Sequence, residues 1–502
     1  MLAEMLSAAV LGVDGVPVRV EADVAFGLPS LTIVGLAGSA IQEARERVRS
    51  ALRNSGFEVP ARRITVNLAP ADLPKEGTGY DLAIAAAILG ASGQLGLKPR
   101  RRCALVGELA LDGTLRAVPG AMALVAAATE AGVEEVVVPA GNAAEAANVR
   151  GVRIRAATCL GDVVAHLAGI RELPGAAATP LPAWNPPPDL PDLADVVGQA
   201  LARRALEIAI AGGHSLALSG PPGVGKTMIL RCAEGLLPPL DDAEAIEVSR
   251  IHSVAGLLDR RQPIFRRRPF RAPHHTLSTQ ALVGGGSRVR PGEASLAHRG
   301  ALLLDELLQF HADALDALRQ PLESGTVTIA RVEGAVTLPA RFTLLAAFNP
   351  CPCGWLGSRV RRCVCDDSAA RRYAARLSGP LRDRLDLWVS MGEASTESSA
   401  PDGVEPSSVV ARRVGSACQR QRGRQGKMNG ELGPAELATE AAGFDPSVLA
   451  VLRHRALRFH LSPRRLHRTA RVARTIADLA GSDRVGVGHL DEALLYRPEQ
   501  SW

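Results

Sequence analysis

The sequence GPPGVGKT, at residues 220–227, decides the fold of this chain. It follows the pattern G-x-x-x-x-G-K-T, in which glycines let successive backbone amides point at the oxygens of a polyphosphate. The apolar residues 214–219 before it predict a strand, and residues 228–237 after it predict a helix whose N-terminus faces the phosphates. In this setting the loop predicts a nucleotide-binding α/β domain, rather than a glycine-rich turn without a ligand.

The loop and two later strands supply the expected catalytic groups. Lys226 is predicted to reach the β- and γ-phosphates, and the Thr227 hydroxyl to bind Mg²⁺. The apolar run ALLL ends in two carboxylates, of which Asp305 is expected in the magnesium shell and Glu306 is expected to polarise the attacking water. A further apolar run ends at Asn349, which is expected to orient that water; the alternative is an asparagine that caps a turn. The loop residues expected to contact the nucleotide are Gly220, Pro221, Pro222, Gly223, Val224, Gly225, Lys226 and Thr227.

The composition indicates a globular protein of several domains. Of 502 residues, 47% are apolar and 22% charged, and the formal net charge of +6 is small for a chain of this length. No stretch of about 20 residues is apolar and free of charge, and the N-terminus lacks a basic signal-peptide start, so no membrane span is expected. We therefore expect a cytoplasmic protein whose eight cysteines are reduced or bound to metal.

Four segments are distinguished along the chain. Residues 1–170 alternate short apolar strands with alanine-rich helices, as in an α/β or α+β domain. Residues 171–191 are proline-rich and predict an extended linker. Residues 192–392 contain the phosphate loop and predict the α/β core. Residues 393–502 begin with a polar loop and continue as basic helices.

Four cysteines form two C-x-C pairs, Cys351 with Cys353 and Cys363 with Cys365, with nine residues between the pairs. Thiolates at close spacing in a reducing compartment are typical of tetrahedral zinc, although C-x-x-C pairs are commoner. We expect about one structural Zn²⁺ per chain. The alternative is four reduced thiols on a loop.

The stretch VVGQ at residues 196–199, followed by the phosphate loop and the strand ends above, resembles AAA+ ATPases. Four further stretches are more specific: RAPHHTLS at 271–278, GGG at 284–286, PGE at 291–293 and SGPLRDRLD at 378–386. They resemble the magnesium-chelatase-like group and, within it, the YifB/ComM family. RRLHR at 464–468 and VARTIAD at 472–478 extend the resemblance into the C-terminal helices, so that it covers essentially the whole chain.

The resemblance implies a homo-oligomeric ring, usually a hexamer, with ATP and Mg²⁺ bound at each subunit boundary. By motif position, Arg384 is expected to act as an arginine finger on the neighbour's γ-phosphate, with Arg382 as the alternative. Arg464 is expected to be the sensor-2 arginine of a helical lid, and Val197 to lie beside the nucleotide. A guanidinium supplied by a neighbour stabilises the charge that phosphoryl transfer spreads over the γ-oxygens.

The family's rings carry hairpins in their central channel, and two stretches fit that description. Residues 283–293 are glycine-rich and hold Arg288 and Arg290, and residues 326–337 alternate like two strands, with Arg331 beside the turn. These three arginines are predicted to contact DNA phosphates without reading sequence. The alternative is two surface loops with ordinary solvated charges.

The N-terminal segment contains PKEGTGYD at residues 74–81 and VGELALDGTLR at 106–116. These two stretches resemble the proteolytic domain of Lon, a domain of the S5 domain 2-like type. The family's nucleophilic serine falls at Gly79 and its catalytic lysine near Met122, so nucleophile and activating base are both missing. We expect a scaffold without peptidase activity that helps assemble the ring or grips DNA.

The expected fold is therefore α/β, with a Lon-like α+β N-terminal domain, a P-loop AAA+ core and a C-terminal helical lid. The expected function is an ATPase that drives a ring-shaped DNA motor, a helicase or branch-migration translocase of the ComM type, on recombination intermediates in natural transformation. The alternatives are a magnesium-chelatase-type motor subunit and an ATP-driven peptide unfoldase or chaperone. The motif D-x-S-x-S of metal-adhesion sites is not evident in the sequence, which disfavours the chelatase.

Overall fold

The structure is a computed structural model. It describes residues 1–35, 39–73, 75, 77–95, 102–178, 180, 189–259, 261–286, 289–331, 334–393, 404–439, 442–458 and 462–497.

The N-terminal domain is built on a seven-stranded mixed sheet. Its first two strands form an antiparallel hairpin. Alternate residues of the first strand enter two different buried clusters, Met5 one and Ala8 the other, so both faces of the sheet are covered. Helix Asp81–Ala91 is apolar on all sides and every one of its residues is buried, as expected of a helix enclosed between a sheet and its neighbours. In spatial order the strands are Ser30–Val34, Arg63–Ala69, Asp14–Ala25, Leu2–Leu11, Cys103–Leu105, Glu135–Pro139 and Arg153–Ala157.

Helices cover both faces of this sheet, and a short hairpin of Glu108–Leu109 with Leu115–Arg116 lies beside it. Residues 173–176 hydrogen-bond to the edge strand, through Ala156 N to Pro174 O at 3.0 Å and Ala176 N to Ile154 O at 3.0 Å. The likeness of the domain to Lon stays a prediction. Its helices are Ser39–Asn54, Asp81–Ala91, Ala121–Glu130, Ala143–Ala146 and Leu160–Leu167.

The second sheet has five parallel strands and holds the phosphate loop. Numbered along the chain within this sheet, the strands lie in the order 2-3-4-1-5, so the chain crosses over repeatedly with helices on the faces. This parallel sheet and the helices that follow it fit the mixed α/β fold expected for the core and C-terminal region. In spatial order the strands are Phe270–Arg271, Ala301–Leu304, Thr343–Phe348, Leu216–Ser219 and Leu387–Ser390.

Nine helices of the described chain between residues 200 and 382 surround the second sheet. The longer ones pack their apolar sides on the strands, whose residues are almost all buried. They are Ala200–Gly212, Lys226–Leu236, Asp242–Ala255, Thr279–Val283, Glu293–Leu296, Ala312–Ala317, Pro321–Ser324, Asp367–Ala374 and Gly379–Arg382. Short 3-10 turns occur at Leu193–Asp195 and Leu307–Gln309.

Two hairpins project from this core. The first pairs Gly284–Gly285 with Arg290–Pro291, and the second pairs Thr326–Arg331 with Gly334–Pro339. They touch each other, because a Cβ placed on Gly284 would lie 3.0 Å from Leu338 Cδ1. The two hairpins are therefore one structural unit.

The C-terminal region is helical and packs on helix Ala200–Gly212. Its largest fully buried side chain among the described residues is that of Arg474, which donates to Asp478 Oδ1 at 2.9 Å and to the Asp483 carbonyl at 2.8 Å. A buried guanidinium needs such partners, so this cluster fixes how the last helices meet. The helices are Ser407–Gln425, Pro434–Leu437, Pro446–Arg458, Pro463–Leu479 and Val487–Leu495.

The N-terminal domain sits directly on helix Asp242–Ala255 of the core. Ser253 Oγ donates to Glu145 Oε2 at 2.8 Å, and Arg250 Nη1 lies 3.1 Å from Asp14 Oδ1. Met122 is buried in an apolar cluster with residues of that helix. Gly79 lines a cavity of about 920 Å³ that lies between the N-terminal domain and the hairpins.

The turn between the first two strands also reaches the second hairpin. Val13 belongs to one buried cluster with Ile251 and Leu338. A Cβ placed on Gly12 would come within 2.6 Å of Val336 Cγ1. The hairpin base is therefore held by side chains of both domains.

No helix of the described residues is long and apolar enough to cross a membrane.

Candidate functional site

The phosphate loop connects strand Leu216–Ser219 to helix Lys226–Leu236. Gly223 and Gly225 have φ angles of +82° and +87°, in the left-handed region that side chains disfavour. These two positions turn the chain around a hollow at the helix N-terminus, where backbone amides and the helix dipole favour an anion. The loop geometry fits a bound polyphosphate.

Lys226 lies buried at the base of the loop. Its ammonium donates to the carbonyl oxygens of Gly220 and Pro221, both at 2.7 Å, and to Asn349 Oδ1 at 3.1 Å. Burial lowers the pKa of Lys226 to about 8, although the nearby Asp305 carboxylate acts in the opposite direction. Asn349 follows strand Thr343–Phe348, so the ends of two adjacent strands meet at this ammonium.

Thr227 and Asp305 form the oxygen pair that could hold a divalent cation. The Thr227 hydroxyl donates to Asp305 Oδ2 at 2.9 Å, and the other carboxylate oxygen accepts from the Glu306 amide at 2.9 Å. Hard cations such as Mg²⁺ prefer hydroxyl, carboxylate and water oxygens, with phosphate oxygens completing the shell. The donor set therefore fits Mg²⁺ bound with a nucleotide.

Glu306 has an unusual backbone and an unexpected partner. Its φ angle is +52°, a strained value for a residue with a side chain, and strain of this kind is concentrated at functional sites. The carboxylate is 57% exposed, and its Oε2 lies 3.3 Å from Nδ1 of His275. His275 stacks on His274 and lies edge-on to Phe310.

His275 is a site residue that sequence reasoning missed. It lies in the RAPHHTLS stretch, which carried the family resemblance, but nothing in the spacing linked it to Glu306. The link becomes visible only when strands Phe270–Arg271 and Ala301–Leu304 are seen side by side, with both residues beyond their carboxyl ends.

Val197 lies in the loop before helix Ala200–Gly212 and is half exposed. The neighbouring Gln199 has a φ angle of +53°, and its side-chain amide donates to the Gly392 carbonyl at 2.7 Å. The loop is thereby joined to Gly392, two residues after the end of strand Leu387–Ser390.

Arg384 and Arg464 meet on a single carboxylate. Arg384 donates to the Pro380 carbonyl at 2.8 Å and forms an ion pair with Glu323, while Arg464 lies 3.7 Å from Glu323 Oε1. The two guanidiniums hold the pKa of Glu323 below its usual range, chiefly through the hydrogen bond from Arg384. Arg382 instead lines a small cavity with Asn349.

Of the three arginines predicted to contact DNA, two lie within the described residues. Arg290 is exposed and lies in the first hairpin. Arg331 ends the first strand of the second hairpin, as far as its backbone is described. Arg288 lies outside the described residues.

The four cysteines of the C-x-C pairs come together. Their sulfur atoms all lie within 4.8 Å of one another, in the loop between strand Thr343–Phe348 and helix Asp367–Ala374. The sulfur of Cys351 is the buried one of the set, and the other three are half buried.

Sequence comparison matches the chain along most of its length. The family described as "Magnesium chelatase, subunit ChlI" matches residues 192–399, its companion "Subunit ChlI of Mg-chelatase" matches residues 20–142, and "Magnesium chelatase, subunit ChlI C-terminal" matches residues 404–497. Together these matches include the phosphate loop, the strand-end carboxylates and both hairpins.

Full-length relatives narrow this assignment. The uncharacterized protein YifB of Escherichia coli is 44% identical, over 97% of this chain and 96% of its own length. The competence protein ComM of Haemophilus influenzae is 43% identical, over 99% of this chain and 97% of its own length. The chain belongs to the YifB/ComM family of magnesium-chelatase-like AAA+ ATPases. Membership of the YifB/ComM family implies ATP and Mg²⁺ as ligands of the site described above.

A more distant relative matches only part of this chain. The DNA replication licensing factor Mcm2 of Drosophila melanogaster is 25% identical over 206 residues, which is 38% of this chain and 20% of the relative.

Proposed function

We propose that this ATPase is the subunit of a ring-shaped DNA motor, a helicase or branch-migration translocase that acts on recombination intermediates during natural transformation. The observation that carries the proposal is the covalent path from the nucleotide site to the second hairpin. Strand Ala301–Leu304 ends in Asp305 and Glu306, and the chain passes through two short helices into the hairpin Thr326–Arg331 with Gly334–Pro339. Strand Thr343–Phe348 then returns to Asn349. Both ends of the hairpin are thus attached to residues that would sense the γ-phosphate.

The hairpins have the chemistry of a non-specific DNA contact. Arg290 is exposed on the first hairpin, which packs on the second through Val289. Guanidinium groups at this unit would neutralise phosphates and release counterions, which is the sequence-independent part of DNA binding. The relatives' printed names support a nucleic-acid role, because one is a competence protein and another a DNA replication licensing factor.

Hydrolysis would use the groups gathered at the strand ends. Lys226 would neutralise the β- and γ-phosphates, and Thr227 with Asp305 would hold Mg²⁺, which would supply positive charge against that of the phosphates. Glu306 would accept a proton from the attacking water, once its carboxylate is no longer held by His275. Asn349 would orient that water.

The arginine finger would come from a neighbouring subunit. Among the described residues, the guanidinium of Arg384 contacts Pro380 and Glu323, and neither belongs to the phosphate loop. Arg464 shares that carboxylate, so both guanidiniums face the same side of the subunit. A homo-oligomeric ring, which we propose is a hexamer in the cytoplasm, would place them against the neighbour's nucleotide.

The family descriptions name a magnesium chelatase, so a chelatase-type motor is the second candidate. The competence protein ComM matches 99% of this chain, whereas the magnesium-chelatase 67 kDa subunit of Heliobacterium mobile matches 40% of it, which favours the DNA motor.

The proposal is tested by measuring ATP hydrolysis with and without four-way DNA, together with strand displacement. We expect DNA to stimulate hydrolysis and ATP to drive unwinding. Replacing Arg290 by alanine should weaken DNA binding and reduce the salt slope of the affinity by about one. The matched control is Arg153→Ala, an arginine half exposed on the edge strand of the N-terminal domain. DNA-insensitive hydrolysis without unwinding would exclude the motor.

Nucleotide binding is expected to become proton-linked above pH 8. With its pKa near 8, Lys226 is charged below that pH and neutral above it, whereas bound phosphates favour its charged form. Affinity for ADP should therefore be constant below pH 8 and fall by up to about tenfold per pH unit above it. Titrations between pH 7 and 9.5 measure this slope. Lys226→Arg, which keeps its charge, should remove it; a flat wild-type profile would contradict the assignment.

A further inference from the structure

The four-cysteine cluster has the dimensions of a metal site. The distances between sulfur atoms are 3.4 Å for Cys351 and Cys353, 3.7 Å for Cys351 and Cys363, and 3.5 Å for Cys353 and Cys363. Four thiolates around Zn²⁺ at about 2.3 Å stand about 3.8 Å apart in a tetrahedron. A disulfide needs about 2.05 Å between sulfurs, so the observed distances exclude one here. Cys365 completes the set within 4.8 Å.

The loop that carries the cysteines has no regular secondary structure, and its middle is held by polar contacts of Ser358 and Arg359 with Glu393. Residues 349–366, every one of which the structure describes, form neither helix nor strand. Its apolar side chains Val360 and Val364 are 77% and 81% exposed, so they supply no core. Long loops without secondary structure are uncommon in compact domains unless a function or a crosslink orders them. Four converging thiols provide such a crosslink when they bind a metal.

The same loop forms a wall of the nucleotide site. Cys351 lies two residues after Asn349, whose side-chain oxygen accepts from Lys226. Gly354 has a φ angle of +85°, and a Cβ there would lie 2.8 Å from Cδ of Pro222 and 3.7 Å from Cγ of Asn349. The backbone between the two C-x-C pairs is therefore in contact with the phosphate loop itself.

The far end of the loop is fixed by a helix cap. Asp366, next to Cys365, accepts from the Ala369 amide at 2.6 Å and begins helix Asp367–Ala374. That helix buries Tyr373 and leads towards the segment with Arg384. A metal at the cysteines would thus set the distance between the phosphate loop and this helix.

We propose that Cys351, Cys353, Cys363 and Cys365 bind one Zn²⁺, and that this ion keeps Asn349 and Pro222 in the positions needed for nucleotide binding. The second half of the proposal rests on the proposed nucleotide site; the first half does not. Four thiolates select zinc or iron, and the hard ligands preferred by Mg²⁺ are absent from this described cluster.

The first test is the metal content of the full-length protein, purified without chelator and without added metal. Elemental analysis should find about one zinc per chain and no iron. Cys363→Ser should lose the zinc, and Cys159→Ser, a half-buried cysteine of the N-terminal domain, should keep it. Wild-type protein without zinc, protein that contains iron instead, or zinc retained by both variants would each overturn the site.

The second test separates zinc binding from the effect on nucleotide. Zinc is removed from the wild-type protein with a thiol reagent and chelator, and the affinity for a fluorescent ADP is measured before and after removal. We expect affinity to fall about tenfold, the usual size of coupling between two sites, and to return when Zn²⁺ alone is added back with reductant. Unchanged affinity would overturn the coupling. Neither measurement uses DNA. Both results can therefore be interpreted even if the DNA-motor proposal fails.

Discussion

The Glu306→Gln variant is expected to bind ATP with wild-type affinity and to hydrolyse it about 10²–10⁴-fold more slowly. Glutamine keeps the shape and polarity of the side chain but cannot accept a proton from water. Asp305 and Thr227, which would hold Mg²⁺, are not altered, and the Glu306 amide still donates to Asp305. Phosphate release measures turnover, and the affinity for a slowly hydrolysed ATP analogue measures binding.

Asp313→Asn is the matched control for that variant. It removes one exposed carboxylate from the helix that follows, Ala312–Ala317, and should leave turnover unchanged. If Glu306→Gln turned over at the wild-type rate, the role of general base would have to be given to another residue.

Arg384→Ala is expected to lower turnover by about 10³-fold or more, which is the usual contribution of an arginine finger. Its own phosphate loop should still bind nucleotide, because the contacts of Arg384 are with Pro380 and Glu323. If Arg384 acts across a subunit boundary, mixing two inactive variants tests its role more directly than one variant alone.

Mixing Arg384→Ala with Lys226→Ala subunits should restore part of the activity. Each variant alone is inactive, but one supplies an intact phosphate loop and the other an intact finger. In randomly mixed rings with equal amounts of both, about one quarter of the boundaries combine the two. The control is Arg319→Ala, which removes an arginine whose side chain is more exposed than that of Arg384. This variant should remain active alone. No recovery on mixing, with rings shown to exchange subunits, would mean that Arg384 does not act across the boundary.

The phosphate loop and the strands that meet it could be predicted because their chemistry is local. Strands Ala301–Leu304 and Thr343–Phe348 were expected from short apolar runs that end in polar groups, and both are confirmed. The second hairpin is confirmed for the same reason, since its residues alternate around a turn. The roles of the residues at the strand ends stay predictions until they are measured.

The N-terminal pair of strands, Leu2–Leu11 with Asp14–Ala25, was not predicted. The sequence LAEMLSAAVL is rich in residues that favour helices, and what makes it a strand is pairing along its full length with the next segment. Tertiary partners outweigh intrinsic propensity in such cases.

Long-range pairs were missed for a related reason. Glu323 joins Arg384 and Arg464 from three separate parts of the chain, and His275 meets Glu306 from a neighbouring strand. No periodicity or motif spacing encodes such meetings, which depend on strand order and helix placement.

The buried contact of Val13 with Leu338 and Ile251 gives the second hairpin a resting position. Moving the hairpin away from the N-terminal sheet would expose these side chains to water, at a cost of about 1.5–3 kcal/mol for each one fully uncovered. Small displacements would leave the contact intact and draw the whole N-terminal layer along. Larger displacements would need that free energy. The amino-terminal domain therefore opposes any large movement of the second hairpin.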